Sequence, residues 1–164
     1  GFSGTVSYKR FEFNFAFQGS GQRSLFINPS AVTPFVNDRA LLSAIWKDHW
    51  TPENMKSNPL WPRLSTNSIA AHNMEEGLLG TETLRASTYF MREVKFLRCQ
   101  SLELAYNLPE RWVRKLHLQR VKPYVRVNNP FLISDFDLWD VELGSSGFNY
   151  PIQRTYSVGI NLSF

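Results

Sequence analysis

The sequence predicts an all-β chain of about four antiparallel strands, because apolar and polar residues alternate in separate segments. In the last ten residues, every second side chain is apolar, and small or polar residues lie between them. Phenylalanines alternate in the same way between positions 11 and 17. Successive side chains of a strand point to opposite faces, so each such segment has one apolar and one polar face. The sequence contains no run of about 18 or more apolar residues, which excludes a transmembrane helix.

The first predicted strand runs from about Val6 to Phe17. Four phenylalanines line one of its faces, at positions 11, 13, 15 and 17. Val6 and Tyr8 fall in the opposite phase of the alternation. A bulge near Lys9 and Arg10 would bring both halves onto one face, since a bulge inserts one extra residue into a strand.

The second predicted strand runs from about Phe96 to Leu108. Its apolar face is formed by leucines and a tyrosine, and its opposite face by small and polar residues. Pro109 ends the strand, and residues 110–115 form a short polar turn. This turn leads directly into the next alternating segment.

The third predicted strand runs from about Leu116 to Asn128. Valines and Pro123 share one face, and a proline cannot donate to a ladder, so we expect a bulge or a local edge there. The opposite face carries three polar or aromatic side chains, Lys122, Tyr124 and Arg126.

The fourth predicted strand runs from about Thr155 to Phe164 and closes on an aromatic residue, which is rare in soluble proteins. In outer-membrane barrels, lipid-facing and lumen-facing residues alternate and aromatics lie at the membrane interfaces. We therefore expect the lumen to be lined by the polar face of the third strand. We expect these residues of the fourth strand to face lipid: Tyr156, Val158, Ile160, Leu162 and Phe164.

The connections between the predicted strands are unequal. The segments near residues 18–93 and 129–153 are long, whereas the turn before the third strand is short. Barrels of this kind have short periplasmic turns and long extracellular loops, so both long segments are predicted to lie outside the cell. Within the first, residues 38–50 predict a short amphipathic helix with Asp38 as N-cap.

Composition excludes several classes of protein. The net charge is +4, but the basic residues are scattered, with one tight cluster at Arg111, Arg114 and Lys115. A nucleic-acid partner is not expected, because such binders carry a basic face or stripe. The single cysteine, Cys99, allows no internal disulfide and no cysteine metal cluster. The first residues lack the charged start and apolar core of a signal peptide, so we expect the chain to be part of something longer.

Several short phrases occur along the chain in a fixed order. They are Trp50–Asn54 with Trp61–Leu64, Phe96–Arg98 with Leu102–Pro109, Asn129–Phe131, Asp140–Glu142, and Tyr150–Pro151 with Arg154–Phe164. Together they resemble the C-terminal barrel portion of SusC/RagA-like TonB-dependent outer-membrane transporters. Small departures, such as Pro130, Val141 and Cys99–Gln100, affect local loop geometry rather than the order of the phrases.

The resemblance implies the outer membrane of a Gram-negative, Bacteroidota-like cell. It implies import of glycan or peptide products by a plugged barrel of about 22 strands, a SusD-like surface lipoprotein outside, and TonB acting on the plug-bearing part. Membrane lipid and lipopolysaccharide would surround the wall. Four strands cannot close, and an open edge is not viable in lipid, so the remainder of the barrel and plug are expected partners. The alternatives are a passive outer-membrane channel or other barrel protein, and a soluble β-sandwich binding module, whose strands would alternate in much the same way.

The sequence shows no catalytic constellation, and its three histidines lack metal-ligand spacing. We therefore expect no enzyme activity and no cofactor. An acidic loop could hold Ca²⁺, but its spacing is not that of an EF-hand loop, which favours a solvated, hydrogen-bonding loop. Its carboxylates are Asp135, Asp137, Asp140 and Glu142.

Four tryptophans lie in the predicted extracellular loops: Trp46, Trp50, Trp61 and Trp139. They could contact substrate or a partner protein, together with Asp140 and Glu142, or they could pack the loops onto one another. The lumen-facing residues of the third strand could touch substrate or pair with carboxylates of a plug, and pairing with a plug is the favoured interpretation.

Overall fold

The computed structural model describes residues 1–35, 40–54, 59–65, 74–75, 83–84, 88–115 and 117–164. Two compact units divide the chain. The strand unit comprises residues 1–23, 94–137 and 151–164, and the loop unit comprises residues 24–93 and 138–150. None of the helices in the described ranges has the length and apolarity that a bilayer crossing requires.

The described residues form an antiparallel all-β fold, which confirms the predicted fold class. The strands are β1 Phe2–Tyr8, β2 Phe11–Phe26, β3 Met74–Glu75, β4 Thr83–Leu84, β5 Met91–Tyr106, β6 Arg120–Asn128, β7 Leu132–Ser134 and β8 Thr155–Ser163. The main sheet has the order β1-β2-β5-β6-β8, with β7 paired to β5, and β3 pairs with β4 separately. Short helices α1 Pro29–Val32, α2 Ser43–Lys47 and α3 Glu110–Lys115 lie in the connections, as do 3-10 turns at Thr88–Phe90 and Val141–Leu143.

Residues 6–17 form a hairpin rather than one strand, so the predicted bulge near Lys9 and Arg10 is wrong. β1 and β2 pair antiparallel, with Tyr8 opposite Phe11 across a two-residue turn. Lys9 adopts a positive φ of 55°, which tight hairpin turns require. Residues directly opposite in a hairpin share a face, so Val6 joins Phe13 on the apolar face. The turn itself accounts for the change of phase.

β2 and β5 are longer than the predicted strands. Each has 16 residues, so β2 takes residues 18–26 from the predicted first loop, and β5 takes residues 91–93. β7 lies inside the predicted second loop. The helix predicted over residues 38–50 is shorter, since α2 spans only Ser43–Lys47, and Asp38 lies outside the described residues.

β6 begins at Arg120, and Leu116, where the third strand was predicted to begin, lies outside the described residues. Pairing with β8 continues past Pro123, which stands opposite Ile160. The ladder with β5 ends at Tyr124, next to the proline. Beyond the proline, the Leu108 N–H donates to the Val121 carbonyl at 3.0 Å, so the missing donor of Pro123 leaves a local gap in the ladder on the β5 side.

The apolar interior of the loop unit is formed by side chains from both of its chain segments. Ile27, Ile45 and Val141 are fully or almost fully buried. The Asn28 N–H donates to the Ser145 carbonyl at 2.8 Å, which ties the two segments together. Parts of both predicted long loops thus fold into one unit.

Candidate functional site

One face of the strand unit is apolar and exposed. The register places Leu104, Val125 and Val158 side by side on three neighbouring strands, and their exposed fractions are 50%, 49% and 82%. All five residues predicted to face lipid are exposed, with Phe164 at 84%. An exposed apolar face of this extent marks a surface for lipid or protein.

Aromatic rings extend the apolar face across β1 and β2. The Phe2 and Phe17 rings stack with centroids 4.9 Å apart. The Phe15 ring lies against Gly4, where a Cβ would meet the Phe15 Cζ at 2.8 Å. The glycine therefore makes room for the ring on the neighbouring strand.

The opposite face carries a hydrogen-bonded network of charged side chains. Lys122 Nζ donates to Glu12 Oε1 at 2.6 Å, and Arg126 Nε donates to Glu103 Oε2 at 2.8 Å. Asn14 Nδ2 donates to both carboxylates, at 3.0 Å to Glu103 and 3.3 Å to Glu12. The network joins β2, β5 and β6 and balances two cations with two carboxylates.

In this network, two of the predicted lumen-facing residues, Lys122 and Arg126, bond to carboxylates of the same sheet. The Lys122 side chain is only 14% exposed, so its ammonium is largely committed to Glu12. Arg126 is 49% exposed and keeps an open side. Glu12 and Glu103 were not among the predicted site residues, although both fall in the polar phase of otherwise apolar strands. Pairing with a plug stays a prediction.

The third predicted lumen-facing residue, Tyr124, lies across Gly159 on β8. The two residues are direct register partners. A Cβ at Gly159 would lie 2.6 Å from the Tyr124 hydroxyl oxygen and 2.7–2.8 Å from its ring. The Arg126 guanidinium lies 5.6 Å from the same ring. Only a glycine leaves the space that this ring occupies.

The tryptophans differ in how they are placed. Trp61 is buried, with 4% of its surface exposed. Its N–H donates to the Asp48 carbonyl, and its carbonyl accepts from the Trp50 N–H. Trp50 and Trp139 are half-buried, and Trp139 Nε1 donates to the Gly144 carbonyl at 3.0 Å. Trp46 is 62% exposed, and its ring stacks on His49 with centroids 5.3 Å apart. Of the four, Trp46 offers the most open ring, whereas burial leaves Trp61 little surface for a ligand.

The turn after Trp50 is fixed by one asparagine. Asn54 Oδ1 accepts from the Thr51 N–H at 2.7 Å, and Asn54 Nδ2 donates to the His49 carbonyl at 2.7 Å. Within the turn, hydrogen bonds from its own backbone N–H and from Thr51 lower the pKa of Glu53. The phrase Trp50–Asn54 thus encodes a closed turn.

Trp61 packs beside a tyrosine and an arginine. The Trp61 and Tyr89 rings meet edge to face, with centroids 6.3 Å apart, and the Arg92 guanidinium lies 5.4 Å from the Tyr89 ring. Tyr89 Oη donates to the Leu60 carbonyl at 2.7 Å. Burial raises the pKa of the Tyr89 hydroxyl, against a smaller opposing effect of Arg92.

Two carboxylates of the acidic loop, Asp135 and Asp140, accept hydrogen bonds from nearby backbone groups. Asp135 Oδ1 accepts from the Lys95 N–H at 2.8 Å, and Asp140 Oδ1 accepts from the Glu142 N–H at 3.1 Å. Within the described ranges, no group of three or more histidine, cysteine or acidic side chains is arranged to hold a metal ion. Bound Ca²⁺ stays untested.

Comparison with known proteins places the chain. No protein-family model matches it. It is 31% identical over 188 residues to the TonB-dependent receptor P26 of Formosa agariphila, and 26% identical over 167 residues to the TonB-dependent receptor SusC of Bacteroides thetaiotaomicron. Each alignment includes the whole chain, which spans 16% and 15% of these relatives.

Solved structures share the fold. The structure of the RagAB peptide transporter matches 96% of the chain with a TM-score of 0.63 and 18% identity, and the chain covers 16% of it. The RagAB peptide importer in its closed-closed state matches 99% of the chain with the same TM-score and 20% identity, and the chain covers 17% of it. The chain is therefore a barrel portion of a SusC/RagA-like TonB-dependent receptor.

Proposed function

We propose that the chain forms the C-terminal part of the barrel wall of a TonB-dependent importer in a Gram-negative outer membrane. The observation that carries the proposal is the alignment of the whole chain with TonB-dependent receptors. The two unlike faces of the sheet support it, because a barrel wall needs an apolar outer face and a polar inner one.

In this role, the apolar face contacts acyl chains and the face with the ion network looks into the lumen. The network suits a plugged lumen, because each carboxylate already has a cation at hydrogen-bonding distance. Paired charges tolerate a poorly hydrated space far better than single ones do. The half-exposed Arg126 is the member of the network best placed to reach a plug or a passing substrate.

The outer edges of β1 and β8 pair with the remaining strands of the barrel. The sheet order places these strands at its two ends, so each has one neighbour among the strands that the structure describes. In lipid, unpaired backbone groups are too costly to persist, so closure by other strands is required.

The proposed cargo is a glycan or peptide breakdown product, and a SusD-like lipoprotein covers the barrel outside. Support comes from the relatives, which include a SusC receptor and a peptide transporter. TonB acts through the plug-bearing part. The exposed Trp46 ring in the loop unit is the proposed contact for a sugar ring or for the lipoprotein, since aromatic faces stack well on such surfaces.

Uptake by cells tests this function. Deleting the receptor gene should abolish uptake of a labelled oligosaccharide or peptide mixture, and removing TonB should do the same. Uptake that persists without TonB would identify a passive channel. A monodisperse, detergent-free preparation of the 164-residue segment with a cooperative melt would instead support a soluble module.

A further inference from the structure

Basic and aromatic side chains gather at one end of the strand unit. The β1–β2 turn, α3 and the start of β6 meet there: the Asn107 N–H donates to the Arg10 carbonyl at 2.8 Å, and Arg120 Nε donates to Asn107 Oδ1 at 2.9 Å. We call this end the basic rim. Its cations are Lys9, Arg10, Arg111, Arg114, Lys115 and Arg120.

The side chains of the basic rim point to solvent. α3 buries Val113 and leaves its basic residues and Trp112 exposed, the latter at 51%. Tyr8, beside the β1–β2 turn, is 68% exposed. Each ring has a cation near its face: Lys9 Nζ lies 5.3 Å from the Tyr8 centroid, and the Arg111 guanidinium lies 5.8 Å from Trp112.

Among the described residues, carboxylates do not balance the cations of the basic rim. The Arg114 guanidinium donates to the Glu110 carboxylate at 3.3 Å, but both side chains are more than 80% exposed. Water screens the attraction between exposed charges strongly. Glu12 is held by Lys122 on the polar face, and Arg120 is 3.9 Å from it. The rim therefore presents a positive surface to a ligand.

The strand lengths set the depth of the basic rim. β6 and β8 have nine residues each, which matches the 9–11 residues that a tilted strand needs to cross the hydrocarbon layer. Their ends at Arg120 and Ser163 pair with each other, so α3 beside them lies at headgroup level. Tyrosine and tryptophan favour this level, and lysine and arginine extend their charges toward it.

We propose that the basic rim binds anionic phospholipid headgroups in the leaflet that faces the short connections between strands. This inference rests on the proposed function, because it needs the wall to stand in a membrane. The ligand is a phosphodiester with net negative charge, as in phosphatidylglycerol or cardiolipin. Lipopolysaccharide is not the proposed ligand, because the short connections belong to the periplasmic side in the predicted orientation.

Native mass spectrometry of the whole receptor tests the proposal. The receptor, purified in a non-ionic detergent, is titrated with phosphatidylglycerol, phosphatidylethanolamine or lipopolysaccharide. Wild type should retain phosphatidylglycerol preferentially, and the triple variant Arg111→Gln, Arg114→Gln, Lys115→Gln should bind it at least about tenfold more weakly, since cations near anionic lipid act additively. Raised salt should weaken binding to wild type.

The matched control removes three cations from the other end of the strands, in the variant Arg23→Gln, Lys95→Gln, Arg154→Gln. It should bind phosphatidylglycerol like wild type.

Equal binding by both triple variants, or a preference of wild type for lipopolysaccharide, would overturn the proposal. The variant Arg111→Lys, Arg114→Lys should keep binding, and its loss would also count against the proposal. Absence of the receptor from outer-membrane fractions would refute the proposed function. If the receptor is in the outer membrane but the triple variant at positions 111, 114 and 115 binds phosphatidylglycerol as wild type does, only the proposal for the basic rim is refuted.

Discussion

An arginine in the middle of β8 should destabilise the receptor in a bilayer far more than one near its end. Val158 is the fourth of the nine residues in β8 and lies on the apolar face beside Val125. Leu162 is the eighth and lies on the same face, opposite Val121. The variants Val158→Arg and Leu162→Arg therefore place the same charge at two depths.

The expected magnitude follows from this depth. An arginine on the lipid face costs about 2–4 kcal/mol at the bilayer midplane and about 0–1 kcal/mol near the interface. The difference between the variants should be about 1–4 kcal/mol, and a difference of about 2 kcal/mol is roughly a 30-fold change in the unfolding equilibrium constant. The 82% exposure of Val158 within the chain means that few protein contacts are lost in the replacement.

The assay is denaturant unfolding of the whole receptor in phospholipid vesicles, followed by tryptophan fluorescence and by heat-modified mobility on gels. Val158→Leu serves as the apolar control and should be nearly neutral. Equal costs for the two arginine variants would show that depth is irrelevant to β8 and would refute its contact with acyl chains.

Three further predictions concern contacts inside the chain. Gly159→Val should destabilise the wall by about 1–3 kcal/mol, because its side chain would collide with Tyr124; the double variant with Tyr124→Ala should recover part of the loss in the same unfolding assay. Lys122→Met should cost about 1–3 kcal/mol by leaving the Glu12 carboxylate without its closest cation, and Glu12→Gln in the same chain should restore stability; an unchanged midpoint for Lys122→Met alone would refute the role of this pair. Tyr89 has a raised pKa in the fold, so the stability that its neutral hydroxyl contributes is complete below the unfolded pKa near 10 and is lost as pH rises through the folded pKa. Absorbance titration of the phenolate should show a late step that Tyr89→Phe removes.

The sequence alone predicts strand β8 well, because apolar and polar residues alternate strictly there and this pattern is visible without knowledge of the neighbouring strands. It misses the β1–β2 hairpin, since Lys9 and Arg10 are not the glycine or asparagine residues that usually signal a two-residue turn. The short strand β7 is also missed, because its three residues are too few to show an alternating pattern. The alternation of apolar and polar residues therefore predicts a strand wherever the strand is long and its turns contain the usual turn residues, glycine or asparagine.

The candidate site is less accessible from sequence. The charges of Lys122 and Arg126 are visible, but their partners depend on the register between strands that a long connection separates. The burial of Trp61 and the exposure of Trp46 likewise depend on how the loop unit folds back on itself. Residue type suggests what each side chain can do, whereas tertiary contacts decide which one is open to a ligand.

The bond between Glu12 and Lys122 implies an order of assembly. Its partners are 110 positions apart, whereas β5, β6 and β8 follow one another with shorter intervening segments. Contacts between near neighbours form sooner, because bringing distant parts together costs more chain entropy. The three C-terminal strands should therefore associate first, and the N-terminal hairpin should join them last. The ion pair between Lys122 and Glu12 would then form last and hold the hairpin against β6.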